Sequence, residues 1–247
     1  MQAFEFNSLD DMSQNAAENI VNYGLESIKQ KGFFTISLSG GNSPRQIYSL
    51  LPEIARKKGL NWNRVFIFWG DERYIPHTHR ESNYKMAYDT LLSKINIPQQ
   101  NIFRIPTEIE PVDSVALLYE KIMKKFFTLA RMIDHKKKLP IFDLILLGIG
   151  SDGHTASLFP GHKAINEQKK WVVYVKAHAR VTLRDRITIT LPVINAAKNI
   201  MFIISGEGKG KIVKSIMEEK KRATVYPASK IKPEDGQTIW FIDRNIY

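Results

Sequence analysis

Apolar positions along the chain fall into two patterns, one with helical spacing and one of short continuous runs. Helical spacing is clear within 10–31, where apolar or small residues recur at Ala17, Ile20, Val21, Gly24, Leu25 and Ile28. Asp10 or Asp11 is expected to cap this helix, and Lys31-Gly32 to end it. The continuous runs are too short for helices and are bounded by glycine or polar residues, which is typical of buried strands.

The same patterns divide the rest of the chain into alternating elements. Strands are predicted at 33–38, 64–69, 102–105, 142–147, 171–175, 186–190, 200–205 and 238–242. Helices are predicted from about 43, over 83–95 and 112–132, and from about 208. Pro44 suits the first turn of the second helix after Asn42 or Ser43 as cap, and Pro52 is expected to kink or end it. Strands that alternate with helices predict an α/β fold, with a mainly parallel sheet flanked by helices in a single domain, 1–247.

One stretch, IFDLILLGIGSDGHTASLFPG at 141–161, combines a buried strand with polar chemistry. The apolar run is interrupted by Asp143 and ends at Gly148 and Gly150. Asp152 and His154 follow at the carboxyl end of the strand, where open parallel sheets bind ligands. A lone histidine is more often structural than catalytic. Here the flanking glycines and the nearby carboxylate favour an exposed imidazole, which can act as a general base near neutral pH.

The segment SGGNSPR at 39–45 lies between a predicted strand and a predicted helix. Its glycines let backbone N–H groups approach an anion, Ser43 can donate, and the helix dipole favours negative charge. The pattern is neither the nucleotide P-loop nor G-x-G-x-x-G, so no nucleotide is predicted. A tight turn that simply needs glycine is the alternative interpretation.

A second polar turn, GDER at 70–73, follows the next strand. One interpretation of this turn is a surface ion pair, which is common and contributes little. The other is a site shared with Arg45 and His154, because all three segments follow the ends of predicted strands. Arg186 and Lys209 are further candidates for binding phosphate, although each alone is more often a solvated charge.

Composition and the other histidines narrow the classes of function. The chain of 247 residues has no cysteine and a net charge of +11, which suits nucleic acid or a small anionic substrate. Its basic clusters at 56–58, 135–138 and 220–222 fall near predicted helix ends, where they are expected to be solvated. His77 and His79 lack a third ligand, so no metal is predicted, and His162 and His178 are expected at the surface. The first residues do not resemble a signal peptide, and no run of apolar residues is long enough to span a membrane. A cytoplasmic protein is therefore expected.

Six segments together resemble the 6-phosphogluconolactonase family. They are SGGNSPR (39–45), GDERYIP with the following SN (70–76 and 82–83), LGIGSDGHTASLFPG (147–161), RITITLPVINAA (186–197), PAS (227–229) and WFID (240–243). The resemblance implies a Rossmann-like, NagB/RpiA-like fold. The related glucosamine-6-phosphate deaminases carry a glutamate where this chain has Phe159, and a tyrosine where it has Arg73. The lactonase pattern therefore fits better.

That resemblance implies hydrolysis of 6-phospho-D-glucono-1,5-lactone to 6-phospho-D-gluconate in the oxidative pentose phosphate pathway. His154 would be the general base, Asp152 would position it, and backbone N–H groups of 150–153 would stabilise the oxyanion. Substrate and phosphate would be bound by Gly40, Gly41, Asn42, Ser43, Arg45, Asp71, Arg73, Gly153, Arg186 and Lys209.

Neither a cofactor nor a metal is implied, and no nucleic-acid or membrane partner. The chain is expected to be a monomer or a weak homodimer. A deaminase-like sugar-phosphate isomerase and a non-catalytic sugar-phosphate sensor are the alternatives. A role in RNA binding is less favoured, because no aromatic residues accompany the lysine clusters.

Overall fold

The computed structural model describes residues 2–134, 136–179, 181–219 and 221–246. The strands are β1 (Gln2–Phe6), β2 (Phe34–Leu38), β3 (Val65–Trp69), β4 (Asp71–Arg73), β5 (Ile102–Phe103), β6 (Leu144–Leu147), β7 (Val172–Lys176), β8 (Asp185–Ile189), β9 (Asn199–Ile204) and β10 (Gln237–Asp243). The helices are α1 (Leu9–Lys31), α2 (Asn42–Lys58), α3 (Asn83–Thr90), α4 (Val112–Leu129), α5 (Leu191–Asn195) and α6 (Gly210–Met217).

Seven of these strands form one parallel sheet in the order β1-β10-β9-β6-β2-β3-β5. Helices cover both of its faces, as two consecutive residues of β3 show. Ile67 lines a small apolar void with residues of α1 and α2, whereas Phe68 packs on Phe126 and Phe127 of α4. Neighbouring side chains of a strand point to opposite faces. The predicted α/β architecture is therefore confirmed.

The strand interiors are apolar because both faces are covered. All residues of β2 and β6 are buried. Asp143, which interrupts the apolar run just before β6, is fully buried, and neighbouring donors and cations compensate its negative charge. It accepts hydrogen bonds from the amide and hydroxyl of Thr35, and it lies 2.8 Å from Lys31 Nζ and 3.3 Å from Lys198 Nζ. This ion-paired carboxylate joins the amino end of β6 to the neighbouring strands.

The order of the strands reverses between β2 and β6. From β2 the chain proceeds outwards through β3 to β5, and it then returns to place β6 on the opposite side of β2. Connections after two such strands diverge to opposite faces and leave a crevice at their carboxyl ends. The 39–45 segment and the turn containing His154 both begin at this crevice.

A second, three-stranded sheet was not predicted. Its order is β4-β8-β7, and both of its pairings are antiparallel. The segments at 171–175 and 186–190 were expected as strands, but alternating side chains do not reveal which strand a segment pairs with. β1 was also missed. Four of its five residues are exposed, so it shows no buried apolar face.

Several predicted helix boundaries require correction. Ser8, rather than Asp10 or Asp11, caps α1 through Asp11 N. Pro52 neither ends nor interrupts α2, which continues to Lys58 and stops at Gly59 with a left-handed φ of 75°. Proline lacks an N–H group and so costs the helix one backbone hydrogen bond. The burial of the neighbouring apolar side chains of Leu51, Ile54 and Ala55 stabilises the helix by more than this cost. The 83–95 helix ends at Thr90 and the 112–132 helix at Leu129.

Two residues of the predicted basic clusters, His135 and Lys220, lie outside the described residues. Within the described part of the chain, no helix is long and apolar enough to cross a membrane.

Candidate functional site

A polar cleft of about 180 Å³ opens at the carboxyl edge of the parallel sheet. It is lined by Ser39, Gly40, Gly41, Asn42, Ser43, Pro44, Asp71, Arg73, Asn83, Gly148, Ile149, Gly150, His154, Ala156, Arg186, Ile203 and Lys209. Of the predicted site residues, three are absent from this wall. Arg45 is exposed on α2, whereas Asp152 and Gly153 directly precede His154. The structure thus gathers the separate predicted segments into one cleft.

His154 is held by Asp152 at the edge of this cleft. Asp152 Oδ1 lies 2.5 Å from His154 Nδ1 and also accepts a hydrogen bond of 3.0 Å from the His154 amide. A carboxylate at Nδ1 selects the tautomer that carries its proton there. Nε2 then keeps its lone pair, which is the state that a general base requires.

Glycine is needed in the turn that carries this pair. A Cβ on Gly150 would lie 2.1 Å from His154 Cε1, so any side chain would displace the imidazole. Gly153 has a φ of +82°, and a Cβ there would meet the Tyr226 ring at 2.4 Å. The Phe159 ring packs on the imidazole with centroids 4.7 Å apart. These contacts restrict where the His154 ring can lie.

The ionisation of Asp152 is tied to its contact with His154. Partial burial opposes the charged form, but the hydrogen bonds and charge of His154 outweigh it and hold the pKa of Asp152 at about 2. In an unfolded chain that pKa is about 3.9. The depressed value means that the folded state gains stability above about pH 4 and loses it as the pH falls towards 2.

We therefore expect wild type to have a higher free energy of unfolding than Asp152→Asn above about pH 4. The difference should shrink as the pH falls from about 4 to about 2. Urea denaturation of both proteins at several pH values measures it. A difference that stays constant down to pH 2 would contradict the proposed pairing of Asp152 with His154.

The opposite wall of the cleft begins with the first turn of α2. Its N-cap is Gly41, which offers no side-chain hydrogen bond to the helix amides. Ser43 Oγ lies 2.6 Å from Ser205 Oγ, and Lys209 Nζ donates to the carbonyl of Ser205 at 2.6 Å. Burial lowers the pKa of the Lys209 ammonium. An uncapped helix start beside a half-buried lysine is a favourable environment for an anion.

Two arginines contribute further positive charge from the antiparallel sheet. Arg73 of β4 and Arg186 of β8 are direct cross-strand partners, a position where like charges repel. Burial lowers the pKa of the Arg186 guanidinium and the neighbouring Arg73 adds to that decrease, while Asp71 opposes it. Arg73 Nη1 donates to the carbonyl of Glu81, but Arg73 Nε is buried and has no hydrogen-bond partner in the described part of the chain. The pair therefore has unused capacity to bind an anion.

Asp71 is the one carboxylate among the described residues of the cleft wall, and it is fixed from two sides. Ser157 donates to Asp71 Oδ2 at 2.6 Å, and the side-chain amide of Asn83 lies 3.4 Å from Asp71 Oδ1. A carboxylate fixed in this way can accept hydrogen bonds from ligand hydroxyl groups. No group of three or more His, Cys, Asp or Glu side chains that could bind a metal is found among residues 2–134, 136–179, 181–219 and 221–246.

The structure changes one expectation about the site. The Gly150 amide donates to the carbonyl of His154, and the Gly153 amide donates to that of Gly150, so these two predicted oxyanion donors are already engaged. His178 is exposed, as expected, but it also makes a contact that was not predicted, with Nε2 3.7 Å from Asp152 Oδ2.

Sequence reasoning also assigned no role to Asn83, Ser157 and Ser205. Asn83 belongs to the SN segment that resembled the family, which was the available signal for it. Ser205 and His178 had no comparable signal, because only tertiary folding brings Ser205 to Ser43 and His178 to Asp152.

Comparison with known proteins identifies the family of the chain. Residues 7–240 match the family described as glucosamine-6-phosphate isomerases/6-phosphogluconolactonase. The chain is 38% identical over 243 residues to probable 6-phosphogluconolactonase 1 of Oryza sativa subsp. japonica, covering 97% of this chain and 81% of that one. It is 39% identical over 217 residues to the chloroplastic 6-phosphogluconolactonase 3 of Arabidopsis thaliana, covering 87% and 65%. The structure of 6-phosphogluconolactonase from Trypanosoma cruzi is similar with a TM-score of 0.85, at 26% identity, covering 99% of this chain and 94% of that one.

Proposed function

The chain belongs to the glucosamine-6-phosphate isomerase/6-phosphogluconolactonase family, and we propose that it hydrolyses 6-phospho-D-glucono-1,5-lactone with His154 as the general base. One observation supports this assignment most strongly. An imidazole whose Nδ1 is bound by Asp152 faces a cleft that also contains Arg73, Arg186 and Lys209. Such a cleft combines a base for water with positive charge for a phosphorylated substrate.

In the proposed reaction, His154 Nε2 removes a proton from a water molecule that attacks the lactone carbonyl carbon. The new C–O bond converts the carbonyl into a tetrahedral oxyanion, which positive charge and hydrogen-bond donors stabilise. The bond from this carbon to the ring oxygen then breaks, and the imidazolium returns its proton to the leaving oxygen. The product is 6-phospho-D-gluconate. Asp152 holds the ring in one tautomer throughout and stabilises the imidazolium.

The phosphate is assigned to the wall formed by the start of α2. There Ser43 Oγ shares a hydrogen bond with Ser205 Oγ and Lys209 Nζ donates to the Ser205 carbonyl, next to the uncapped amides after Gly41. Arg73 and Arg186 complete the positive surface from the other sheet. Asp71, held by Ser157 and Asn83, is assigned to a sugar hydroxyl group.

The deaminase alternative is disfavoured by one contact. Phe159 occupies the position at which the deaminase pattern has a glutamate, and its ring packs on His154. An apolar ring there cannot exchange protons with a substrate. The pathway follows from the substrate, since its product is an intermediate of the oxidative pentose phosphate pathway.

The compartment and assembly are extensions of the proposal. We infer a cytoplasmic enzyme, although one of the relatives above is chloroplastic. A monomer or weak homodimer without nucleic-acid or membrane partners, cofactor or metal, in a single domain, stays a prediction from the sequence.

The proposal is tested by following the disappearance of freshly generated 6-phosphogluconolactone with and without the purified protein. The blank is essential because the lactone also hydrolyses spontaneously. Acceleration by the protein supports the proposal. Absence of acceleration, together with release of ammonia from glucosamine 6-phosphate, would assign the chain to the deaminase reaction instead. Binding of 6-phosphogluconate without turnover of either substrate would indicate a sensor.

A further inference from the structure

Glu72 is a buried carboxylate beside the cleft that the proposed reaction does not use. It is 2% exposed and follows Asp71 in β4. Glu72 Oε1 accepts from the amides of Arg73 and Asn83, both at 2.8 Å, and Oε2 accepts from the Tyr84 amide at 2.8 Å and from Ser82 Oγ at 2.9 Å. Three of these four donors belong to the cap and first turn of α3. Glu72 thus fixes the start of α3 to β4.

The residue held most directly by this arrangement is Asn83. Its backbone amide donates to Glu72, and its side-chain Nδ2 donates to the carbonyl of Asp71 at 2.9 Å. On its other side, the amide group packs against the 39–45 segment so closely that a Cβ on Gly40 would lie 1.9 Å from Asn83 Oδ1. Asn83 is therefore a spacer with one surface on β4 and the other on the segment that precedes α2.

These two surfaces belong to different parts of the cleft. Gly40 precedes the uncapped helix start assigned to the phosphate, whereas Asp71 is on the part of the wall assigned to the sugar. β2 and β3 pair in the parallel sheet up to Leu38 and Trp69, and the Gly70 amide then donates to the Leu38 carbonyl. Beyond this bond, Asn83 contacts both segments, the Asp71 carbonyl on one side and Gly40 on the other.

We propose that Glu72 is a positioning residue that acts through Asn83 to set the distance between the phosphate-binding segment and the sugar-binding wall of the cleft. The inference rests on the proposed function for the identity of the ligand. It goes beyond that function because Glu72 has no place among the residues that contact the substrate. A shift of about 1 Å between two binding elements is enough to cost up to about 10²-fold in rate.

The test compares a ligand that spans both parts of the cleft with one that occupies only the phosphate end. The spanning ligand is 6-phosphogluconate, the small one is inorganic phosphate, and Kd for each is measured by titration calorimetry or by competition. One variant is Glu72→Gln, in which an NH2 group replaces one carboxylate oxygen and faces donors instead of accepting from them. The other is Asn83→Ala, which removes the side-chain spacer but leaves Glu72 in β4 able to accept from the backbone amides of α3. Asn83→Ala also serves if Glu72→Gln does not fold.

Glu120→Gln is the matched control. Glu120 is a largely buried carboxylate on α4 that accepts from the Trp171 and Val172 amides, and it is absent from the cleft wall. Its substitution removes comparable hydrogen bonds and should cost stability without a selective effect on ligands.

We expect Glu72→Gln and Asn83→Ala each to weaken the binding of 6-phosphogluconate and to lower kcat/KM by about 10-fold or more, while the Kd of phosphate changes by less than about twofold. An equal loss of affinity for both ligands would overturn the proposal, because it would indicate general damage to the phosphate end of the cleft. Unchanged binding and turnover, or the same selective loss in Glu120→Gln, would also overturn it. Wild-type turnover of the lactone is measured in the same series, so failure of the proposed function is seen separately from failure of this inference.

Discussion

His154→Ala is expected to lower kcat for lactone hydrolysis by about 10²–10⁴-fold, the usual contribution of a general base. The His154 side chain lines the cleft, and no other histidine lies on the described cleft wall to replace it. Binding of 6-phosphogluconate should survive, because the cationic residues and the start of α2 remain. Stopped assays on freshly generated lactone, with spontaneous hydrolysis subtracted, measure the rate, and calorimetry measures the binding.

His162→Ala is the matched control for this experiment. Its imidazole caps a short 3-10 helix by accepting from the Ala164 amide and is absent from the cleft wall. This variant should retain wild-type turnover. A purified, folded His154→Ala protein that hydrolyses lactone at nearly the wild-type rate would remove His154 from the mechanism and leave the base unassigned.

Lys209→Ala is expected to act on binding rather than on chemistry. Loss of a half-buried cation opposite a phosphate costs about 2 kcal/mol or more, which is roughly 30-fold in affinity. The loss should apply to 6-phosphogluconate and to the phosphorylated lactone. Gluconate and unphosphorylated gluconolactone lack the group that Lys209 binds, so their weaker interaction should be little changed. Inhibition constants for the two acids and kcat/KM for the two lactones provide the comparison.

Lys211, two residues further along, is exposed on α6 and provides a charge-matched control. Lys211→Ala removes the same formal charge, and its effect on any ligand should be small because exposed charges are screened. If Lys209→Ala weakened phosphorylated and unphosphorylated ligands equally, the phosphate assignment of the α2 wall would be wrong. An equal effect of Lys211→Ala would instead indicate long-range attraction by the net charge.

Local sequence patterns were sufficient for the parts of the site that lie at the ends of parallel strands. The apolar run before Gly148 and the run before Ser39 each identified a buried strand, and a parallel sheet brings such ends to one edge. The placements of His154 and Arg73 in one cleft followed from that rule alone, whereas Arg45, the third residue predicted to join them, is exposed on α2 and absent from the cleft wall. The strand order was not needed for it.

The missed features depend on contacts between residues that are distant in sequence. Pairing of β4 with β8 joins residues more than one hundred positions apart, and neither segment has a pattern that specifies its partner. His178 reaches Asp152 only because β7 and β8 form a hairpin. The error at Pro52 has a different origin. A local rule about proline was overridden by the apolar face that α2 buries.

The direct pairing of Arg73 with Arg186 has a further consequence for handling the protein. A multivalent anion in the cleft relieves the repulsion between the two guanidinium groups and binds the folded chain alone, so it shifts the folding equilibrium by mass action. At a concentration of 100 times its Kd, such an anion adds about 2.7 kcal/mol to the stability. Phosphate or sulfate buffers should therefore raise the melting temperature and the apparent KM together. The most heat-stable preparation would then be the one whose cleft is least accessible to substrate.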